Sequence, residues 1–235
     1  GLIFSGALLV RLYRINGPVA DWHSWRQADT AAVARNFLKL GFDPLRPRYD
    51  DISNVQTGVE NPKGYRMVEF PIYQILGTGL YQLVKIFPGI TIEISLRLIS
   101  IISSMGIMII LYKMTRKELG FWGSLGVLGV FGFMPYSIFY SRAILPEMLA
   151  VFLAMGAIWI GERWGIWGRW GILGTGIAAG LAVLTKPTVG FLLLPIGYLV
   201  LKNWRWSLGY LSSLSILGIL TMGPLFWWRN WILQF

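Results

Sequence analysis

Residues 94–112 read ISLRLISIISSMGIMIILY, an apolar run in which Arg97 carries the only charge. A helix needs about 20 mostly apolar residues to cross the hydrocarbon core of a bilayer. Similar runs recur along the chain, and 55% of its residues are hydrophobic. A soluble domain of this length does not contain so much continuous apolar sequence. We therefore predict an all-α, polytopic integral membrane protein.

Short basic connections orient the predicted spans. They lie at 113–117, 163–169 and 202–205, and the positive-inside rule places such loops on the cytoplasmic side. This arrangement predicts about seven transmembrane helices, several of them short enough to be tilted or broken. The predicted spans are residues 1–13, 94–112, 119–140, 148–161, 170–184, 189–201 and 207–228.

Residues 70–87 form one ambiguous segment, because this apolar run contains Gln74, Gln82 and Lys85. A full span here would move the basic connections to the outside. We therefore interpret the segment as an interfacial or re-entrant helix on the outer face, and a full span remains the alternative. Residues 16–68 then form a long first extracytoplasmic loop.

Composition also narrows the function. The chain has no cysteine, which excludes disulfides, thiol catalysis and cysteine-ligated metals. Its net charge of +10 suits anionic lipids or a phosphate-bearing substrate, and the scattered basic residues argue against nucleic acid. Neither a P-loop nor an Asp-x-Asp motif is present, so ATP and nucleotide-sugar chemistry lack their expected elements.

Charged residues are concentrated in residues 21–29, DWHSWRQAD, which contain two carboxylates, the single histidine and an arginine. Charges this close to a bilayer are costly, so their clustering indicates a functional site. The predicted topology brings other charges to the same outer surface. The full set is Asp21, His23, Arg26, Asp29, Glu69, Arg142, Glu147 and Lys186.

An amphipathic helix is predicted inside the first outer loop. Asp29 and Thr30 can cap its start, apolar residues follow at i, i+4 and i+7 from Val33, and Gly41 can end it. Small residues at 126, 129 and 132, and at 176 and 180, predict close helix packing in lipid.

Several of the charged residues also have a purely structural interpretation. Asp29 can act as a helix cap alone, and His23 as an interfacial hydrogen-bonding group. Glu69 and Glu147 each precede or open a predicted helix, where the helix dipole favours an acid. Two cations can simply extend toward lipid phosphates; they are Arg142 and Lys186.

Residues 25–37, WRQADTAAVARNF, follow a predicted span and resemble the first outer loop of GT-C glycosyltransferases. The resemblance is to bacterial glycosyltransferase family 39-like proteins, which are relatives of protein O-mannosyltransferases and of the aminoarabinose transferase that modifies lipid A. It continues in order through EFP at 69–71, SR and LPE within 141–147, and LTKP at 184–187. The resemblance implies that residues 1–235 are the N-terminal part of a GT-C-type transmembrane module.

The resemblance also implies an activity. Such enzymes transfer a sugar, with inversion, from a polyprenyl-phosphate donor at the outer membrane surface. Their acidic positions match Asp29, Glu69 and Glu147 here. The chain departs from the pattern at Ala28 and Phe70, where the family usually has an acid and a basic residue. It also departs at Glu147, which follows Pro146 where the family has the acid before the proline.

Inverting transfer needs a base for the acceptor hydroxyl and positive charge for the departing phosphate. Asp29 is the predicted base and Glu69 the second catalytic residue. A guanidinium can grip phosphate with two N–H groups, whereas an ammonium acts as a point charge. A divalent cation can assist, although no metal-binding spacing is present. The predicted substrate-binding residues are Arg26, Arg142, Glu147, Lys186 and His23.

Two other classes of function stay open. A polytopic transporter or lipid flippase also has helices interrupted by glycine and proline, but the sequence contains no inverted repeat. A non-catalytic membrane scaffold predicts that Asp29 and Glu69 tolerate substitution. For the enzyme, the predicted partners are the lipid-linked donor, a lipid, polysaccharide or protein acceptor, and the bilayer. Its predicted location is a bacterial inner membrane, with the active site facing outside.

Overall fold

The computed structural model describes residues 1–19, 22–54, 58, 60–164, 168–202 and 208–235. These residues contain α-helices, a 3₁₀ segment and turns, and no β-strand is present among them. The prediction of an all-α fold is therefore confirmed. Asp21, residues 165–167 of the basic connection 163–169, and residues 203–205 of the connection 202–205 lie outside the described residues.

The helices follow one another with mostly short connections. Within the described ranges they are α1 (Leu2–Leu12), α2 (Ser24–Lys39), α3 (Ile72–Val84), α4 (Ile92–Phe133), α5 (Pro135–Tyr140), α6 (Glu147–Trp164), α7 (Arg169–Thr185), the 3₁₀ segment (Pro187–Leu193), α8 (Leu194–Lys202) and α9 (Leu208–Ile232).

Two helices in the described part of the chain, α4 and α9, are long and apolar enough to cross a membrane. The 42 residues of α4 contain a backbone break at Gly120, where φ is 66°. Glycine adopts such positive φ values readily because it lacks a Cβ atom. The break falls where the sequence predicts one span to end and the next to begin. The arrangement of about seven spans stays a prediction.

The ambiguous segment at 70–87 forms α3, which has only 13 residues. At 1.5 Å per residue α3 is about 20 Å long, whereas the hydrocarbon core is about 30 Å thick. The helix packs against α2, and a methyl group added at Gly77 would collide with Leu96. These dimensions favour the interfacial or re-entrant interpretation over a full span.

The chain divides into two compact units. The first contains Gly1–Ser103 and Gly132–Met148, and the second contains Ser104–Phe131 and Leu149–Phe235. Each unit has its own buried core.

A buried chain of hydroxyl groups organises the first unit. The Tyr73 hydroxyl donates to the Leu96 carbonyl at 2.7 Å and lies 2.9 Å from the Ser100 hydroxyl. Ser100 in turn donates to the Ala143 carbonyl at 2.8 Å. Because buried polar groups need hydrogen-bond partners, this chain fixes α3, α4 and the segment before α6 against one another.

A fully buried arginine ties α1 into the same unit. The Arg11 guanidinium donates to the carbonyls of Ala7 and Gly132 at 2.9 and 2.7 Å, and to the Ser137 hydroxyl at 3.0 Å. These acceptors offset the cost of removing a cation from water. The arrangement connects α1 with the end of α4 and with α5.

In the second unit, α7 packs closely against α9. A Cβ atom at Gly176 would lie 2.8 Å from the Leu220 Cβ, and one at Gly180 would overlap the Leu220 carbonyl. The predicted close packing at 176 and 180 is therefore confirmed. At Gly126 and Gly129 an added Cβ would meet no atom within 4 Å, so in the described residues that prediction was wrong for these two positions.

We expect Gly180→Ala to destabilise the protein by about 1–3 kcal/mol, because the methyl group would force the two helices apart. Gly218→Ala in α9 is the matched control, since its methyl group has open space and alanine favours helix. The midpoints of thermal unfolding of both variants are measured in detergent micelles and compared. Equal midpoints for the two variants would contradict the packing described for α7 and α9.

Candidate functional site

The helix that carries the candidate base starts earlier than the sequence suggested. α2 begins at Ser24, directly after His23, whose backbone is left-handed with φ 59°. Asp29 therefore lies inside the helix, and the prediction that Asp29 and Thr30 cap its start was wrong. No glycine or proline interrupts residues 24–28, so nothing stops the helix from extending toward His23.

The earlier start places Arg26 and Asp29 on the same face of α2. Residues three apart on a helix are neighbours on its surface. Arg26 and Asp29 thus present a guanidinium and a carboxylate side by side, one turn apart. The end of the helix agrees with the sequence, since α2 stops at Lys39 and Gly41 follows with φ 101°.

Arg26 gathers two acids from distant segments. Its Nη2 atom lies 3.0 Å from Glu69 Oε1 and 3.8 Å from Glu147 Oε1. Glu69 precedes α3, and Glu147 opens α6. The three side chains are between 17% and 30% exposed, so solvent reaches this ion cluster only in part. Three of the residues predicted for the site are therefore in direct contact.

Asp29 pairs with an arginine that the sequence analysis did not single out. Arg66 Nη1 lies 3.1 Å from Asp29 Oδ2, and the two side chains are 18% and 27% exposed. Burial raises the pKa of the Asp29 carboxyl above its ordinary value, and Asp51 adds to the increase, while Arg66 opposes it. The result is a carboxylate more basic than an ordinary aspartate.

A short antiparallel pairing positions Arg66. This pairing, called the strap below, joins residues 47–49 to residues 64–66 through two backbone hydrogen bonds of 2.8 Å. Tyr49 and Arg66 donate these bonds, and the Arg66 guanidinium lies 5.2 Å from the centre of the Tyr49 ring. Gly64 turns the chain with φ 60°. No sequence motif marks the strap, because its partners lie 17 positions apart in an irregular loop.

A buried glutamine joins α2 to the segment that leads into α6. Gln27 is 1% exposed. Its Nε2 atom donates to the Trp22 carbonyl at 3.0 Å, and its Oε1 atom accepts the backbone N–H of Ile144 at 3.0 Å. Gln27 therefore ties α2 to the segment that precedes Glu147. Its position beside Arg26 in the sequence was the only available signal.

The remaining predicted residues have different surroundings. Arg142 lies in the first unit and donates to the Tyr13 carbonyl at 2.7 Å. The His23 ring packs beside Trp22 with centres 6.0 Å apart. Lys186 follows α7 as its C-cap in the second unit. The contacts described here thus join Arg26, Glu69 and Glu147, with Asp29 beside them on α2.

The acids of the candidate site pair with arginines rather than with one another. In the part of the chain that the structure describes, no group of three or more histidine, cysteine, aspartate or glutamate residues is arranged to hold a metal ion. Asp29, Glu69 and Glu147 instead lie against arginines.

A family model described as dolichyl-phosphate-mannose-protein mannosyltransferase matches residues 81–228. The chain belongs to this family. The match confirms the resemblance to GT-C glycosyltransferases, and it includes Arg142, Glu147 and Lys186 but begins after Asp29 and Glu69. Searches of curated proteins and of solved structures found no match. The family is membrane-bound and implies glycosyltransferase activity.

We expect Gln27→Leu to destabilise the protein by about 1–3 kcal/mol, because the buried Ile144 N–H would lose its acceptor. Gln82→Leu is the matched control, because it makes the same change in side-chain chemistry at a residue of α3 that is exposed. Unfolding midpoints measured in detergent test the pair. A Gln27→Leu variant as stable as the control would show that the hydrogen bond from Ile144 N–H to Gln27 contributes little to the free energy of unfolding.

Proposed function

We propose that this mannosyltransferase-family protein transfers a sugar from a polyprenyl-phosphate donor to an acceptor hydroxyl, with inversion, at the extracytoplasmic face. The observation that carries the proposal is the face of α2, where Asp29 stands one turn from the cluster of Arg26, Glu69 and Glu147. That face combines a basic carboxylate with a guanidinium, as such a transfer requires.

In the proposed reaction the acceptor oxygen attacks the anomeric carbon of the sugar. The bond from that carbon to the phosphate oxygen breaks, and the phosphate leaves with the bonding electrons. Asp29 takes the proton of the acceptor hydroxyl. The raised pKa of Asp29 strengthens this role, since a base is most effective when its pKa lies close to the working pH.

Arg26 is the proposed cation for the departing phosphate. A guanidinium has five N–H donors, so the contacts with Glu69 and Glu147 leave donors for a phosphate oxygen. In this proposal the two acids orient Arg26 and stop it from pairing with Asp29. Arg142, Lys186 and His23 remain proposed substrate-binding residues.

The membrane arrangement belongs to the same proposal. About seven spans with the basic connections inside would place α2 and its acids on the outer surface, where a polyprenyl phosphate presents its sugar. Bacterial inner-membrane location and assistance by a divalent cation are further parts of the proposal. The transporter alternative gains no support from the family match.

The decisive experiment compares wild type with Asp29→Asn in membranes that contain the full-length protein. Each is given a panel of radiolabelled polyprenyl-phosphate sugars, and transfer of label is followed with and without EDTA. We expect Asp29→Asn to lower transfer by about 10²–10⁴-fold, the usual contribution of a general base, while donor binding persists.

Asp43→Asn is the matched control, because Asp43 is an exposed aspartate of the same loop paired with Arg46. It should retain wild-type transfer. Transfer that survives Asp29→Asn would remove Asp29 from the chemical step, and no transfer from any donor would favour a transporter or scaffold.

The activity should also depend on pH in a direction fixed by the neighbours of Asp29. A base must be deprotonated, so activity is lost as pH falls through the pKa of Asp29. Asp51 raises that pKa, so Asp51→Asn should lower it and move the acid limb of the kcat/KM profile to lower pH. An acid limb that stays in place would show that Asp29 does not control it.

A further inference from the structure

Arg66 is not among the residues that the proposed reaction uses, yet it is the ion-pair partner of the proposed base. We infer that Arg66 is a positioning residue, which anchors one carboxylate oxygen of Asp29 and so presents the other oxygen to the acceptor hydroxyl. This inference rests on the proposed function, because it assigns Arg66 a role in the same reaction.

The contact between the two side chains involves one oxygen of the carboxylate. Arg66 Nη1 binds Oδ2 at 3.1 Å. Within the residues that the structure describes, no hydrogen bond to Oδ1 is present. The Asp29 side chain is 27% exposed, so a hydroxyl group can approach it. A carboxylate held by one oxygen has its plane restricted, and the second oxygen keeps a lone pair for proton transfer.

Arg66 is itself restrained from two directions. The strap fixes its backbone through the bond from Arg66 N to the Pro47 carbonyl, and the Tyr49 ring lies under the guanidinium. Its side chain is only 18% exposed. A planar guanidinium loses little freedom when it is stacked in this way. The loop therefore delivers a rigid donor to Asp29 rather than a mobile surface charge.

The other charges around Asp29 show why a restraint is needed. Asp50 and Asp51 act on Asp29 from the loop, and Arg26 acts from α2. Both of these loop groups are acids that repel the Asp29 carboxylate. Arg66 is the loop cation that opposes them. Without Arg66, this restraint on the Asp29 carboxylate would be lost.

The test separates positioning from substrate binding by steady-state kinetics of the full-length protein. We expect Arg66→Gln to lower kcat by up to about 100-fold, which a misplacement of about 1 Å can cost, with little change in KM for the donor. Arg66→Lys should retain part of the wild-type kcat, because lysine keeps the positive charge but lacks the planar set of N–H donors of a guanidinium. Tyr49→Leu should lower kcat less than Arg66→Gln, since it removes only the stacking.

Arg46→Gln is the control, because it removes an exposed arginine of the same loop that pairs with Asp43. Its kcat and its KM for the donor should equal those of wild type. A rise in donor KM at unchanged kcat in Arg66→Gln would overturn the inference and make Arg66 a phosphate ligand, and unchanged kinetics would also overturn it.

Failure of the proposed function would look different, since wild type itself would then transfer no sugar. Folding of Arg66→Gln is checked by gel filtration in detergent. If this variant does not fold, the kcat values of Arg66→Lys and Tyr49→Leu, compared with that of wild type, test the inference instead. Unchanged kcat in both of these variants would overturn the inference.

Discussion

The candidate site in the first unit depends on one guanidinium with two acidic partners. Arg26 contacts Glu69 and Glu147, which lie before α3 and at the start of α6. A partly buried arginine requires such partners, because removing a cation from water is costly. The requirement draws these two segments to α2, and it leaves Asp29, on the same helix face, to pair with Arg66 of the loop.

Asp29 consequently has its own counter-ion. Had Arg26 been its partner, the proposed base would share a cation with the proposed phosphate site, and proton transfer and phosphate departure would compete for it. The separate pair with Arg66 divides these tasks between two arginines. Gln27 supports this arrangement, because its hydrogen bond with Ile144 ties α2 to the segment that precedes Glu147, the second acid that contacts Arg26.

Much of this could be predicted from local patterns. The apolar runs indicated an all-α fold, and the spacing of Gly176 and Gly180 indicated close packing. The charges near the first outer loop indicated a candidate site, of which Arg26, Glu69 and Glu147 lie together. The strap, Arg66 and Gln27 could not be predicted, because each depends on contacts between segments far apart in sequence. The start of α2 was missed because Asp29 resembles a cap, although no residue before it ends the helix.

The buried Arg11 has a consequence for biosynthesis. Two of its three acceptors, Gly132 and Ser137, are made more than a hundred residues after it. A buried guanidinium that lacks acceptors is costly, because its charge has been removed from water. During translation two acceptors of Arg11 are missing until Gly132 and Ser137 have been made. Burial of α1 in the first unit is thus coupled to the synthesis of α5, and a chain truncated before residue 132 would lack both of these acceptors.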